Sequence, residues 1–422
     1  MAPSSHPAVF TTQTPYPLPP QMFMIPATWS RYQLSQLVNK ALSLAKPIPF
    51  DFLLRGDLLK SSLADWCTQN AVGEEETLEI EYIESVLPPQ KISDLPHDDW
   101  VSSVSCRPGQ RFLTASYDGQ LRAFDYSQNQ TWSSPIHGAA ITSFCIVSST
   151  SADSHLVATA SHDLTAQLTE ISLDSTEKTK PLASFHLHTA PLSHVTSNST
   201  GSRILTASWD GLVGLWDTLV PEDDEVPEPA TGDRKKRRKT QENKPKRKAP
   251  LTVLKSHTAR VSSVVFDDGK TAYSCAFDST VRLWDLEHGI CTNTITVSER
   301  PFLSLSLAPS SPSTVLASST DRTISHYDFR ESHPASLLIL THPATPSCIV
   351  RSPNHPHQIL SGAYDGAARI WDLRSVKGAT PVASFKAWDG DKKVLGVDWK
   401  IGGIVGIAGE GGLGVWKVGE GS

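Results

Sequence analysis

The chain has 422 residues, 39% hydrophobic and 19% charged, with 30 prolines, 25 glycines and a formal net charge of −6. That balance fits a turn-rich β protein better than a helical one. No apolar run reaches the roughly 18 residues of a membrane-spanning helix, and the opening stretch MAPSSHPAVF lacks the charged start and apolar stretch of a secretion signal.

In chain order, residues 8–12 form a short β-prone piece, residues 15–20 a proline-rich turn, and residues 22–26 a second strand. From Ser30 the period changes. Tyr32, Leu34, Leu37, Val38, Leu42 and Leu44 recur at helical spacing behind a residue able to N-cap. Residues 49–54 read as a strand, Asp57 as the start of a short helical turn carrying Leu58, Leu59, Leu63 and Trp66, and residues 76–82 as an alternating strand. This order of strands and helices is that of a ubiquitin-like β-grasp, placed at residues 1–90.

Two features of this region bear charge. Arg55-Gly56-Asp57 is an RGD tripeptide, read as a turn at Gly56 followed by a capping Asp57. Gly73-Glu74-Glu75-Glu76 is an acidic loop before the last strand, and like charges in such a place normally face solvent. The stretches Pro49-Phe50-Asp51-Phe52-Leu53-Leu54, Leu58 to Leu63, Leu78-Glu79-Ile80-Glu81-Tyr82 and Val86-Leu87-Pro88-Pro89 together resemble the notchless-like N-terminal domain of ribosome-assembly WD-repeat proteins. No Gly-Gly tail follows, which favours a fixed docking module over a conjugated modifier. The resemblance implies that an acidic residue of the loop completes, in trans, the metal-ion-dependent adhesion site of the AAA ATPase midasin. The matching position is Glu75, flanked by Glu74 and Glu76. A Mg²⁺ ion with octahedral oxygen ligation can accept one such carboxylate from a partner.

From Trp100 onward a small-residue/acid turn recurs, with its acid at Asp118, Asp163, Asp210, Asp278, Asp321 and Asp365, and a weak seventh copy at Gly409-Glu410-Gly411. The intervals between these positions, 45, 47, 68, 43, 44 and 45 residues, match a WD40 blade of four antiparallel strands. The strand after each turn ends in Trp216-Asp217, Trp284-Asp285 and Trp371-Asp372. It decays to Phe124-Asp125, Tyr327-Asp328 and Trp416-Lys417, and nearly disappears at Thr169-Glu170. His137, His188, His257 and His342 are the expected partners of the turn acids, so these acids read as structural. The fold expected is mainly β: the β-grasp domain, then a seven-bladed WD40 propeller over residues 91–420. Because the last copy stops after its third strand, residues 91–95 are the candidate for its outer strand, closing an edge that would otherwise lie open.

The one long interval marks an insertion at residues 218–249, between the third and fourth strands of the third blade. It begins acidic, Glu222-Asp223-Asp224-Glu225, and continues with Arg234-Lys235-Lys236-Arg237-Arg238-Lys239 and then Lys244-Pro245-Lys246-Arg247-Lys248. With no apolar period, disorder is expected. The two basic clusters resemble a bipartite nuclear localisation signal, and direct RNA contact is compatible with them.

The six cysteines, Cys67, Cys106, Cys145, Cys275, Cys291 and Cys348, form no Cys-x-x-Cys pair, so reduced buried thiols are expected and neither a zinc site nor a cofactor. No phosphate-binding loop, activated nucleophile or carboxylate pair outside the turns stands out, which points away from an enzyme. The N-terminal domain, the propeller and the insertion in its third blade together resemble the WD-repeat subunit of the PeBoW complex. That resemblance implies a non-catalytic factor in maturation of the large ribosomal subunit and its rRNA, acting on pre-60S particles in the nucleolus and nucleoplasm. Pescadillo, a Bop-type WD-repeat protein and midasin would be its partners, and no membrane is involved. A notchless-type assembly factor and a ubiquitin-pathway substrate receptor are the alternatives; the second predicts a ligase-adaptor motif, and none is present.

Overall fold

The structure is a computed structural model that describes residues 4–44, 46–149, 154–173, 179–227, 244–296, 299–309, 313–331, 336–375 and 380–419. Two compact units emerge, Met1–Pro89 with Trp371–Ala383 and Val418–Ser422, and Gln90–Ile370 with Ser384–Lys417.

In the first unit, alternation drives β1 (Ser5–Thr11), which buries His6, Ala8 and Phe10 on one face. The sheet runs in the order β2 (Met22–Pro26), β1, β5 (Leu78–Glu84), β3 (Phe50–Leu54), β4 (Asp57–Leu58), with β1 and β5 parallel. Helix α1 (Arg31–Leu42) starts at Ser30, whose amide donates to the Gln33 side chain at 3.0 Å. Leu34 and Val38 enter the core, where Phe10, Phe50, Phe52 and Tyr82 meet edge to face. The Tyr82 hydroxyl donates to the Tyr16 carbonyl (2.5 Å) and accepts from the Leu18 amide (2.9 Å), tying the proline-rich turn down.

One expectation is corrected here. Asp57 begins no helix but pairs with Leu54 across a two-residue hairpin turn. Arg55 and Gly56 both adopt positive φ (49° and 83°), as primed hairpin turns require. Helix α2 (Leu63–Gln69) instead begins after Ser62, whose hydroxyl accepts from the Asp65 amide at 3.2 Å.

Among the described residues the second unit forms seven sheets of four or five strands, here called blades. Their innermost strands, from Val101–Ser105 through Val394–Lys400, touch in sequence order, and the last touches the first. β6 (Gln90–Leu95) pairs antiparallel with Gly412–Lys417 as the outer strand of the final blade, as the sequence predicts. Among the described residues, four seams between adjacent blades carry the same bond. A hydroxyl at the second residue of an inner strand donates to the carbonyl of the first residue of the next: Thr142 to Leu192 (2.9 Å), Ser193 to Val261 (2.6 Å), Ser262 to Phe302 (2.7 Å) and Ser347 to Val394 (2.7 Å).

The insertion departs from expectation. Residues 218–227 and 244–249 lie within the described chain, and Lys246–Lys248 forms a strand parallel to Thr179–Phe185, the fifth of the second blade. The reason lies in contacts across the insertion. Acids at the start of the insertion accept from the backbone of the basic stretch, Asp224 from the Arg247 amide (2.9 Å) and Glu225 from the Ala249 amide (2.8 Å). Residues 234–239 lie outside the described residues.

Candidate functional site

The acidic loop joins α2 to β5, whose register against β1 starts at Leu78 opposite Ala8. It is folded back on itself by the Glu76 amide donating to the Gly73 carbonyl at 3.2 Å. Arg55, thrown outward by the positive-φ hairpin turn, ion-pairs with Glu76 and clasps the loop to that turn. The arginine and glycine of the RGD tripeptide are therefore used in cis. Glu74 and Glu75 are exposed and carry no ion pair among the described residues. A clasped loop that presents free carboxylates can offer an oxygen ligand to a hard cation held elsewhere. No group of three potential metal ligands gathers within the chain itself, among the described residues.

The turn acids of the blades sit in a different setting. His188 Nδ1 lies 3.1 Å from Asp210, its Nε2 lies 2.9 Å from the Thr206 hydroxyl, and Trp216 donates to the same hydroxyl at 2.9 Å. The fourth blade repeats this with Asp278, His257 (2.9 Å), Ser274 (2.6 Å) and Trp284 (2.7 Å). An indole can only donate and a carboxylate can only accept, which fixes the chain of donors from Trp through hydroxyl and imidazole to Asp. Burial alone would raise the Asp210 carboxyl, but bonds from His188 and from the Leu212 and Thr189 amides outweigh it and hold the group below its ordinary value. At Asp278 the same contest, won by His257 and Thr280, leaves the carboxyl far lower.

An Asp–His–Ser/Thr relay has the residue types of a hydrolase triad. Here the hydroxyls of Thr206 and Ser274 are fully buried and already occupied by tryptophan, so no substrate can reach them. The second blade keeps Asp163, His137 (2.7 Å) and Thr159 (2.8 Å). At Asp118 and Asp365 the ion-pair partners are Arg122 and Arg369, four residues on. Asp321 accepts from the Thr323 amide at 3.0 Å and its hydroxyl at 2.6 Å. His342 reaches the Ser361 hydroxyl at 3.2 Å, and burial lowers its pKa to about 4.

Two members of this series lie outside the sequence reading. His97 contacts the Thr114 hydroxyl at 3.0 Å in the first blade, in the place His188 takes in the third. In the last blade Trp388, buried to 5% exposure, packs against the turn as His188 and His257 do in theirs. A Cβ on Gly411 would lie 2.5 Å from its ring, so the weak seventh turn is glycine-rich because an indole fills the space. Its acid, Glu410, accepts from the Lys393 amide at 3.1 Å.

Of the basic residues, Lys246, Arg247 and Lys248 are held in the fifth strand. Lys248, only 3% exposed, ion-pairs with Asp217 and also donates to the Leu219 carbonyl. Arg247 reaches the Pro227 carbonyl at 2.8 Å and the His186 ring at 3.3 Å.

Comparison with known proteins gives two family matches. The NLE (NUC135) domain model covers residues 7–67, and the WD domain, G-beta repeat model covers residues 90–125, 179–217, 248–285 and 336–372. A ribosome biogenesis protein YTM1 of Laccaria bicolor is 60% identical over 99% of this chain and 95% of that protein. That of Coprinopsis cinerea is 55% identical over the same shares. The Saccharomyces cerevisiae protein of the same name is 32% identical over 83% of this chain and 82% of its own length.

Proposed function

The chain belongs to the family of ribosome biogenesis proteins YTM1, and from that premise we propose that it is a non-catalytic scaffold of the PeBoW complex in maturation of the large ribosomal subunit. Its propeller holds the Bop-type partner, which with pescadillo completes the complex on pre-60S particles. Its N-terminal domain docks on midasin, which releases the complex from the particle. The protein works in the nucleolus and nucleoplasm, and its address is the basic insertion, residues 234–248.

The observation that carries the docking reading is the state of the acidic loop. Glu76 is engaged by Arg55, while Glu75 is exposed and free of any ion pair among the described residues. A carboxylate spent on an internal ion pair is a poor ligand for a partner's Mg²⁺; a free one on a clasped loop is a good one. Of the two free carboxylates, Glu74 and Glu75, the family resemblance selects Glu75 as the ligand in trans, and Glu76 serves to shape the loop. The opposing reading, a ubiquitin-pathway receptor, gains no support from a loop built this way. Affinity purification of the tagged protein from nuclear extract, followed by mass spectrometry, separates them. Pescadillo and a Bop-type protein should be recovered in stoichiometric amounts. Recovery of ubiquitin-ligase subunits in their place would overturn the proposal.

A further inference from the structure

The sequence marks Lys246-Arg247-Lys248 as free basic signal, yet the structure engages its backbone and the head groups of Arg247 and Lys248. Its backbone pairs with Ala183, Ser184 and Phe185 at the edge of the second blade, and the His186 amide donates to the Lys248 carbonyl at 3.2 Å. On the other side the chain's own acids take the remaining amides. Asp224 accepts from Arg247 (2.9 Å), Glu225 accepts from Ala249 (2.8 Å), and the Glu225 amide donates to the Arg247 carbonyl (2.8 Å). The head groups are engaged as well, Lys248 by Asp217 and Arg247 by the Pro227 carbonyl.

A receptor that reads a basic segment needs an extended backbone and free ammonium and guanidinium groups to set against its own carboxylates. Within this chain Asp217 already takes the Lys248 ammonium, and Asp224 and Glu225 hold the backbone of the same stretch. Docking on the second blade and docking in a receptor groove are therefore mutually exclusive. The strand is only three residues long, the kind of short edge element that opens locally at low cost.

We propose that Lys246–Lys248 is a self-masking strand, held on the second blade by Asp224 and Glu225, which must peel away before an acid-lined import-receptor groove can take its basic residues. This rests on the reading of the insertion as a nuclear address. A masked cluster lowers the apparent affinity by the fraction of molecules in which it is open, so loosening the mask strengthens binding without adding a contact.

The test uses the full chain with Asp224→Ala and Glu225→Ala combined, which removes the clasp and leaves every basic residue in place. Two quantities are read: the rate of tryptic cleavage after Lys246, Arg247 and Lys248, and binding to purified importin-α lacking its autoinhibitory segment. The mask predicts faster cleavage and binding tighter by about fivefold or more. Unchanged cleavage would show that the acids do not hold the strand. Faster cleavage with unchanged binding would make the strand a structural brace and nothing more. A third variant, with Lys246, Arg247 and Lys248 all changed to Gln, separates the premise from the mask. If it binds the receptor as the parent does, these residues are no signal and there is nothing to mask.

Discussion

Asp210 shows at the scale of one residue what the repeated turn is for. It accepts from His188, from the Thr189 amide at 3.1 Å and from the Leu212 amide at 2.9 Å, so a single carboxylate ties the loop before the blade's inner strand to the start of its third strand. Asp210→Ala leaves a buried imidazole without its acceptor and should cost about 1–3 kcal/mol, seen as a lower midpoint in urea unfolding. A midpoint equal to the parent's would mean that the carboxylate carries no such duty. The same groups set a pH dependence. Burial lowers the pKa of His257, and that of His194 to about 4, so between about 4 and 6.5 the native state binds fewer protons than the unfolded one. The depressed carboxyls of Asp163, Asp210 and Asp278 extend this difference below about pH 4. Stability should therefore fall as pH is lowered from 7, offset in part by Asp267 and Asp398, whose carboxyls burial raises, and is most simply followed as the urea midpoint. A midpoint that holds or rises toward about pH 5 would contradict the assignment of buried neutral histidines. The pairs at His137, His188 and His257 were legible because spacing and residue type coincide. His97 lies as far ahead of Asp118 as His257 lies ahead of Asp278, so the same spacing could have found it.

Among elements, those with a clear period were readable and those fixed by a distant partner were not. The alternation of residues 76–82 and the N-cap at Ser30 announce β5 and α1. The hairpin at Arg55-Gly56 is less visible, because an arginine with positive φ is unusual and only its ion pair with Glu76 accounts for its place. The strand at Lys246–Lys248 has no apolar period at all. It forms from backbone bonds to a neighbouring blade and to acids more than 20 residues earlier, a combination that local pattern does not encode. The weak seventh turn has a packing cause. Gly411→Ala would drive a methyl group into Trp388, and we expect a lower melting temperature that is partly restored when Trp388→His is added. A Gly411→Ala variant melting with the parent would show that the glycine is not required by the indole.

For the whole molecule, the blade repeat supplies a scaffold whose turn residues are consumed by its own construction. What distinguishes the chain lies where the repeat is absent or interrupted: the β-grasp domain and the insertion. The sequence alone could nominate three glutamates in the loop without ranking them on physical grounds. The structure sets one of them apart, giving Glu76 to Arg55, and leaves Glu74 and Glu75 both exposed and without an ion pair among the described residues. The most direct measurement is binding of the full-length protein to the adhesion-site domain of midasin in the presence of Mg²⁺, with the parent compared against Glu75→Ala and Glu76→Gln. Glu75→Ala should abolish binding while the protein still melts as the parent does, and Glu76→Gln should weaken it only partially. Undiminished binding by Glu75→Ala would contradict the account.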